Sequence, residues 1–322
     1  MPSPRPFLLA FVAALLLAPT ARATEVAWRI APSPLDGTPS KVHELRSTNT
    51  HGGFDSDLCT YASKGQWRTY ALATSPSDLF TLYDEDFEQV RDEPTALALK
   101  EEARKIVAEN PDSDALEVWD RYVLAARFYR VLGKDEAFLG QVLHEGSWTV
   151  RDEVAGVYLG LEGPQAALDL LDAGDAELQK GLAPADRKKV LHNLARVAER
   201  YGDAARRDRY LDALLALDVL TAPERAKIER MAHLARDVEP RLQDLALEHY
   251  LAWLRQPNLP RADLIRVTYL TADLLRRRGR IVESTPLYSL VATADDAPQE
   301  LREMALFLAR QIVDEAETQH GG

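Results

Sequence analysis

The chain carries a single cysteine, Cys59, in 322 residues. That excludes an internal disulfide framework and any metal site built from several cysteines. Positive charge is also scarce: 39 Lys and Arg face 51 Asp and Glu, a formal charge of −12. Such a balance argues against a general binder of nucleic acid or of anionic membranes. With 16 Gly and 18 Pro, neither a collagenous repeat nor wholesale disorder fits. Outside the N-terminus no apolar run approaches the roughly 20 residues that span a bilayer. Familiar catalytic signatures are missing as well: there is no Gly-x-Ser-x-Gly elbow, His-Glu-x-x-His pair, phosphate-cradling loop or dinucleotide fingerprint. His144-Glu145 begins like a zinc motif, but Gly146, Ser147 and Trp148 follow without a second His at the required offset. His192, His233 and His249 fall within helical stretches, as core or surface residues. What is present is 46% hydrophobic and 28% charged, a globular composition whose length suggests about two domains.

The first segment reads as an address. Arg5 precedes an apolar run from Phe7 to Leu17, followed by Pro19 and the small-residue pattern Ala21-Arg22-Ala23. This is the layout of a secretory signal covering residues 1–23, with cleavage after Ala23. The competing reading is an uncleaved anchor, for which the run is short. No Cys stands at the cleavage point to take a lipid. The expectation is an exported protein, periplasmic or extracellular, with no stable membrane insertion after cleavage.

Two textures follow. Over residues 24–90, Pro32, Pro34, Pro39, Gly52, Gly53, Gly65 and Pro76 break up short alternating runs such as Val26–Ile30 and Thr69–Leu72. That predicts short strands and turns. Residues 91–322 are rich in Ala, Leu, Arg and Glu at helical spacing. Val190, Leu191, Leu194, Val197, Ala198 and Tyr201 make one stripe, with Arg187, Lys188, Lys189, Arg196, Glu199 and Arg200 on the other face. Leu301, Met304, Ala305, Leu308 and Ile312 repeat the pattern. Helix-ending glycines at Gly133, Gly163, Gly202 and Gly279, with Asp237-Val238-Glu239-Pro240 as a further corner, space two-helix units at the period of a helical solenoid. Residues such as Tyr158-Leu-Gly-Leu-Glu-Gly163-Pro-Gln-Ala-Ala-Leu resemble the tetratricopeptide-repeat superfamily. The predicted class is mainly α: a tetratricopeptide-like solenoid after a small irregular, ribbon-like β domain. A non-repetitive helical bundle is the alternative. Arg206-Arg207 with Arg209, and Arg276-Arg277-Arg278 with Arg280, read as solvated faces, although clusters of this kind also suit an acidic partner.

Two turns repeat each other, Ser33-Pro34-Leu35-Asp36-Gly37 and Ser75-Pro76-Ser77-Asp78. Between them lies His51-Gly52-Gly53-Phe54-Asp55-Ser56-Asp57-Leu58-Cys59, and after them Tyr83-Asp84-Glu85-Asp86-Phe87. Together these segments resemble the bacterial family called domain of unknown function 2225. The resemblance implies a zinc-ribbon-like part with two Cys-Pro-x-Cys knuckles around a Gly-Gly-x-Asp-Ser-Asp stretch, and a tetratricopeptide-like C-terminal part. Laid on that pattern, Ser33, Asp36, Ser75 and Asp78 stand where the family has its cysteines. A neutral hydroxyl is a poor zinc donor, so no metal and no cofactor are implied. A cation held by the two Asp with His43, His51 or Cys59 is the competing possibility. Ser and Asp keep the turn-forming tendency that the cysteines would have had. An exported chain also avoids clustered thiols in an oxidising compartment.

Asp55 and Asp57 lack the spacing of a calcium loop and read as caps of a tight turn. Cys59 reads as a small buried residue. The functional expectation is a non-enzymatic module that binds a protein or peptide on the exposed face of the helical array, with no catalytic residues assigned. The alternatives are a metal-dependent enzyme or cation-binding protein using the Asp55 and Asp57 region, and a purely structural helical part.

Overall fold

Alternation of apolar and polar residues around Val26, Trp28 and Ile30 makes the first strand, β1 (Glu25–Pro32), which pairs antiparallel with β2 (Pro39–Ser47). The register sets Trp28 opposite His43 and Arg29 opposite Val42. A computed structural model describes residues 24–110, 112, 115–157 and 161–320, with side chains up to 314. The expected signal, residues 1–23, lies outside the described residues. A second hairpin joins β3 (Leu72–Thr74) to β4 (Thr81–Tyr83). It runs directly into a short helix, α1 (Asp84–Phe87).

Helices then dominate: α2 (Glu93–Glu109), α3 (Val118–Val131), α4 (Glu136–Val154), α5 (Gly163–Leu178), α6 (Pro184–Tyr201) and α7 (Ala204–Leu215). After them come α8 (Ala222–His233), α9 (Glu239–Leu254), α10 (Arg261–Arg277), α11 (Ile281–Ala292) and α12 (Gln299–His320). Their starts are written in the sequence. Asp92, Asp135 and Asp203 each accept a hydrogen bond from a main-chain N–H of the first turn. Thr221 and Glu224 form a reciprocal capping box on α8. Gly202 closes α6 in the left-handed conformation, φ +82°, which lets α7 fold back against it. The turns at Gly133 and Gly279 are built the same way.

The fold class is therefore as expected, mainly α with a small N-terminal region of two antiparallel hairpins. Two expected corners differ. Asp237–Pro240 is no corner: a π-helical turn over Leu234–Val238 carries α8 directly into α9, all in right-handed helical conformation. Pro240 follows directly on the π-helical turn, whose wider winding lets the helix continue past a residue that has no N–H to donate. The helix expected to run to Gly163 ends at Val154 instead, and Gly163 begins α5. Residues 158–160 of that corner lie outside the described residues.

Most consecutive helices pack as neighbours, but the most extensive helix contact joins α9 to α4 across a long stretch of sequence. Gly140 of α4 makes this approach possible, since a Cβ there would lie 2.6 Å from the Tyr250 ring of α9. The helices thus curl back on themselves, a contact of longer range than nearest-neighbour stacking gives. One apolar core runs from Ala31, Val42, Phe80 and Phe87 of the β region through Tyr122, Leu194 and Leu270 to Leu308. Among the described residues no helix is long and apolar enough to cross a membrane.

Candidate functional site

The segment Gly52–Tyr61 leaves the β region as a tight hairpin, held by Gly52 N–H to Tyr61 O (2.8 Å), Tyr61 N–H to Gly53 O (2.9 Å) and Asp55 N–H to Cys59 O (2.8 Å). Its base is stitched to the start of α5: Phe54 N–H donates to Leu161 O and Gly163 N–H to Phe54 O. Gly53 is required here, because φ is +81° and a Cβ would lie 1.8 Å from Leu161 O.

The tip of this hairpin, Asp55-Ser56-Asp57, is buried among helices α4, α6, α9 and α10. Asp55 accepts from Arg200 Nε at 2.7 Å, Tyr61 Oη at 2.8 Å and Arg151 Nη1 at 3.1 Å. Asp57 accepts from Arg151 Nη1 at 3.0 Å and Nη2 at 2.8 Å, and from Trp148 Nε1 at 2.9 Å, with His144 Nε2 at 3.2 Å. Ser56 Oγ accepts from Arg276 and Arg277, and Ser56 O from the Tyr269 hydroxyl. Behind this layer Asp273 holds Arg276 and Arg277, Glu239 holds Arg151, and Glu199 holds Arg207. Burial alone would raise the Asp57 pKa, but the Arg151 and Arg277 charges hold it well below the usual carboxylate range. The same contest leaves Asp273, beside Arg276 and Arg277, at about 2. Glu239 goes the other way: burial pushes it up to about 8 against the pull of Arg151, and the neighbouring Glu199 adds to the rise.

These contacts correct several expectations. Arg200, Glu199, Arg207, Arg276 and Arg277 are buried rather than solvated, because each finds a counter-charge or main-chain carbonyl inside. Asp55 and Asp57 do more than cap a turn. Although Cys59 N–H does reach Asp57 Oδ1 at 3.3 Å, every carboxylate oxygen of both also faces a guanidinium. A space of about 250 Å³ remains beside Glu199, Arg207 and Glu239, while much of the face between the helices is occupied by the chain's own acidic hairpin. Cys59 is fully buried beside it, which raises its thiol pKa.

The structure brings Ser33, Asp36, Ser75 and Asp78 into two facing turns. The turns share one hydrogen-bond plan: Gly37 N–H to Ser33 O and Ser33 N–H to Thr38 O in the first, Leu79 N–H to Ser75 O and Ser75 N–H to Phe80 O in the second. Asp36 Oδ1 accepts from Thr38 N–H, and Asp78 Oδ1 from Phe80 N–H. Across the gap Ser77 Oγ donates to Asp36 at 2.6 Å and Ser33 Oγ to Asp78 at 3.4 Å. These hydroxyls and carboxylates bond one another and include no thiolate or imidazole, so they do not suit a structural zinc. His43 and His51 are not part of the set. Among the described residues no three His, Cys, Asp or Glu side chains are grouped as metal ligands.

An open space lies elsewhere. A cleft of about 790 Å³ separates the first hairpin from α4, with Val42, Trp67, Tyr83 and Phe138 among its apolar walls. Its polar groups include His43, Asp84 and Glu145. No side chain donates to either oxygen of Asp84, and both are shielded from water. Burial pushes this carboxyl up to about 7, against the weaker pull of the His43 main chain and the Arg29 charge. Glu145 accepts from the Tyr83 hydroxyl at 2.7 Å and Gln141 at 2.9 Å. In the sequence Tyr83-Asp84-Glu85-Asp86-Phe87 stands out only as a family-like motif, and nothing in it places these carboxylates in a cleft. The only signal was an unusual one: three carboxylates directly after a strand-like run.

No family model, no curated protein and no solved structure matches this chain.

Proposed function

We propose that the protein is an exported, non-enzymatic module that binds a protein or peptide partner, and that the partner docks in the cleft between the first hairpin and α4. The observation that carries this reading is the cleft itself. At about 790 Å³ it has the size of a binding site, and it combines apolar walls with an Asp84 carboxylate that no side chain of the fold satisfies. The inter-helical hollow, the first place a repeat array suggests for a ligand, is taken by Asp55-Ser56-Asp57. We read the helices as a tetratricopeptide-like array closed upon itself, and the β region as a ribbon related to the domain-of-unknown-function 2225 family. The matched turns at Ser33 and Ser75 support that kinship, with hydrogen bonds now standing where metal ligands would be. The engaged oxygens of Asp55 and Asp57 give no support to a metal-dependent reaction there.

Photo-crosslinking tests the assignment. A crosslinking residue replacing Leu45, at the cleft, is expected to capture one defined partner in the cell envelope, and one replacing exposed Arg209 on α7 is not. Equal capture at both positions, or none at Leu45, contradicts the reading.

A further inference from the structure

Resting on the cleft as the docking site, we propose that its occupant is a basic side chain, lysine or arginine, presented by a partner segment with apolar neighbours. The argument begins with charge. Glu44, Asp84, Glu85, Asp86 and Glu145 all line the cleft. The two arginines that share it are already committed, Arg29 to Glu88 and Arg68 to Asp152 in a bidentate pair at 2.6 and 2.7 Å. His43, the remaining basic group of the lining, is held towards its neutral form by burial and by the Lys41 and Arg121 charges.

Of these five carboxylates only Glu44 is ion-paired, with Arg46. Glu145 is bound only by neutral donors, the Tyr83 hydroxyl and the Gln141 amide, which orient it without cancelling its charge. Asp84 is bound by no side chain and has only the weak pull of the His43 main chain. A buried carboxylate lacking a partner is costly, and an ammonium or guanidinium is the group that repays it best. The walls fit the rest of such a side chain. Trp67 and Phe138 offer aromatic surface along which a methylene stem can lie while its head comes up to Glu145 and the Asp84 wall, and an aromatic ring adds attraction for the cation. An acidic segment would be repelled. A neutral apolar one would leave Asp84 unsatisfied. A lone small cation would not fill a space of about 790 Å³.

The test uses random dodecapeptides displayed on phage, panned against the purified protein. The variants Asp84→Asn and Glu145→Gln serve as controls, each first shown by its thermal melt and circular dichroism to be folded. The expected result is enrichment of sequences with Lys or Arg beside apolar residues, together with protection of Trp67 when a selected peptide binds. Affinity for that peptide should fall at least about tenfold in Asp84→Asn, and substituting norleucine for its Lys should have the same effect. Selected peptides that protect Trp67 but show no basic preference overturn the basic side chain and leave the docking site standing. If no selected peptide reaches the cleft, both the basic occupant and the site fall.

Discussion

Arg151 is the residue on which the interior turns. Its guanidinium is wholly buried and bridges Asp55 and Asp57 of the hairpin to Glu239 of α9. A network of this kind is not by itself a stabiliser relative to an apolar core, but removing one member strands the others. Asp57→Ala is accordingly expected to cost about 3–5 kcal/mol of folding stability, read from the urea midpoint. Glu239 gives a pH signature of known sign. Its pKa is about 8 when folded and near 4.5 otherwise, so between these values the folded chain holds more protons than the unfolded one. Stability from this group is complete below about pH 4.5 and declines as pH rises towards 8. Glu239→Gln should remove that decline, so the variant gains on the wild type between pH 5 and pH 8.5 in paired urea titrations. An equal pH dependence in both proteins contradicts the assignment. Little of this was legible in the sequence. Amphipathic logic assigns charged residues to water, which places Arg200 and Glu199 outside, and their counter-charges sit far away in the chain, as Asp55 does from Arg200.

Elements were easier to read than their partners. Local chemistry decides where α8 begins and where α6 ends, so capping residues and left-handed glycines could be found by inspection. Replacing the cap by Thr221→Ala should cost about 1 kcal/mol without altering the hairpin. Gly53→Ala is a sharper test of how closely the hairpin approaches α5. The added Cβ meets Leu161 O at 1.8 Å and the left-handed φ disfavours any side chain, so a loss of more than about 2 kcal/mol is expected, again from the urea midpoint. What local chemistry does not decide was misread. Pro240 reads as a break, yet a π-helical turn just before it lets the chain continue as helix. The paired Ser-Pro-x-Asp turns were visible as a repeat. That they face one another and exchange hydrogen bonds through Ser77 and Ser33 follows from the packing of the two β-hairpins, which no local pattern records.

At the scale of the whole molecule, an acidic hairpin from the β region stands at the centre of the helices, and α9 closes against α4 beside it. Mainly helical character and the change of texture near residue 90 were visible in composition and periodicity. The closure was not, since the α4–α9 contact depends on a glycine opposite an aromatic ring far along the chain. With Asp55-Ser56-Asp57 seated at their centre, the helices keep a space of about 250 Å³ beside Glu199, Arg207 and Glu239, smaller than the cleft of about 790 Å³ beneath the first hairpin. Native-state hydrogen exchange at Asp55 and Tyr61, whose N–H groups bond Cys59 O and Gly53 O, tests this seating most directly. These amides should exchange only through global unfolding, at the same free energy as those in the middle of α10. Exchange of the hairpin amides well ahead of α10 would mean that the hairpin leaves its seat while the helices stay folded, and would contradict the account.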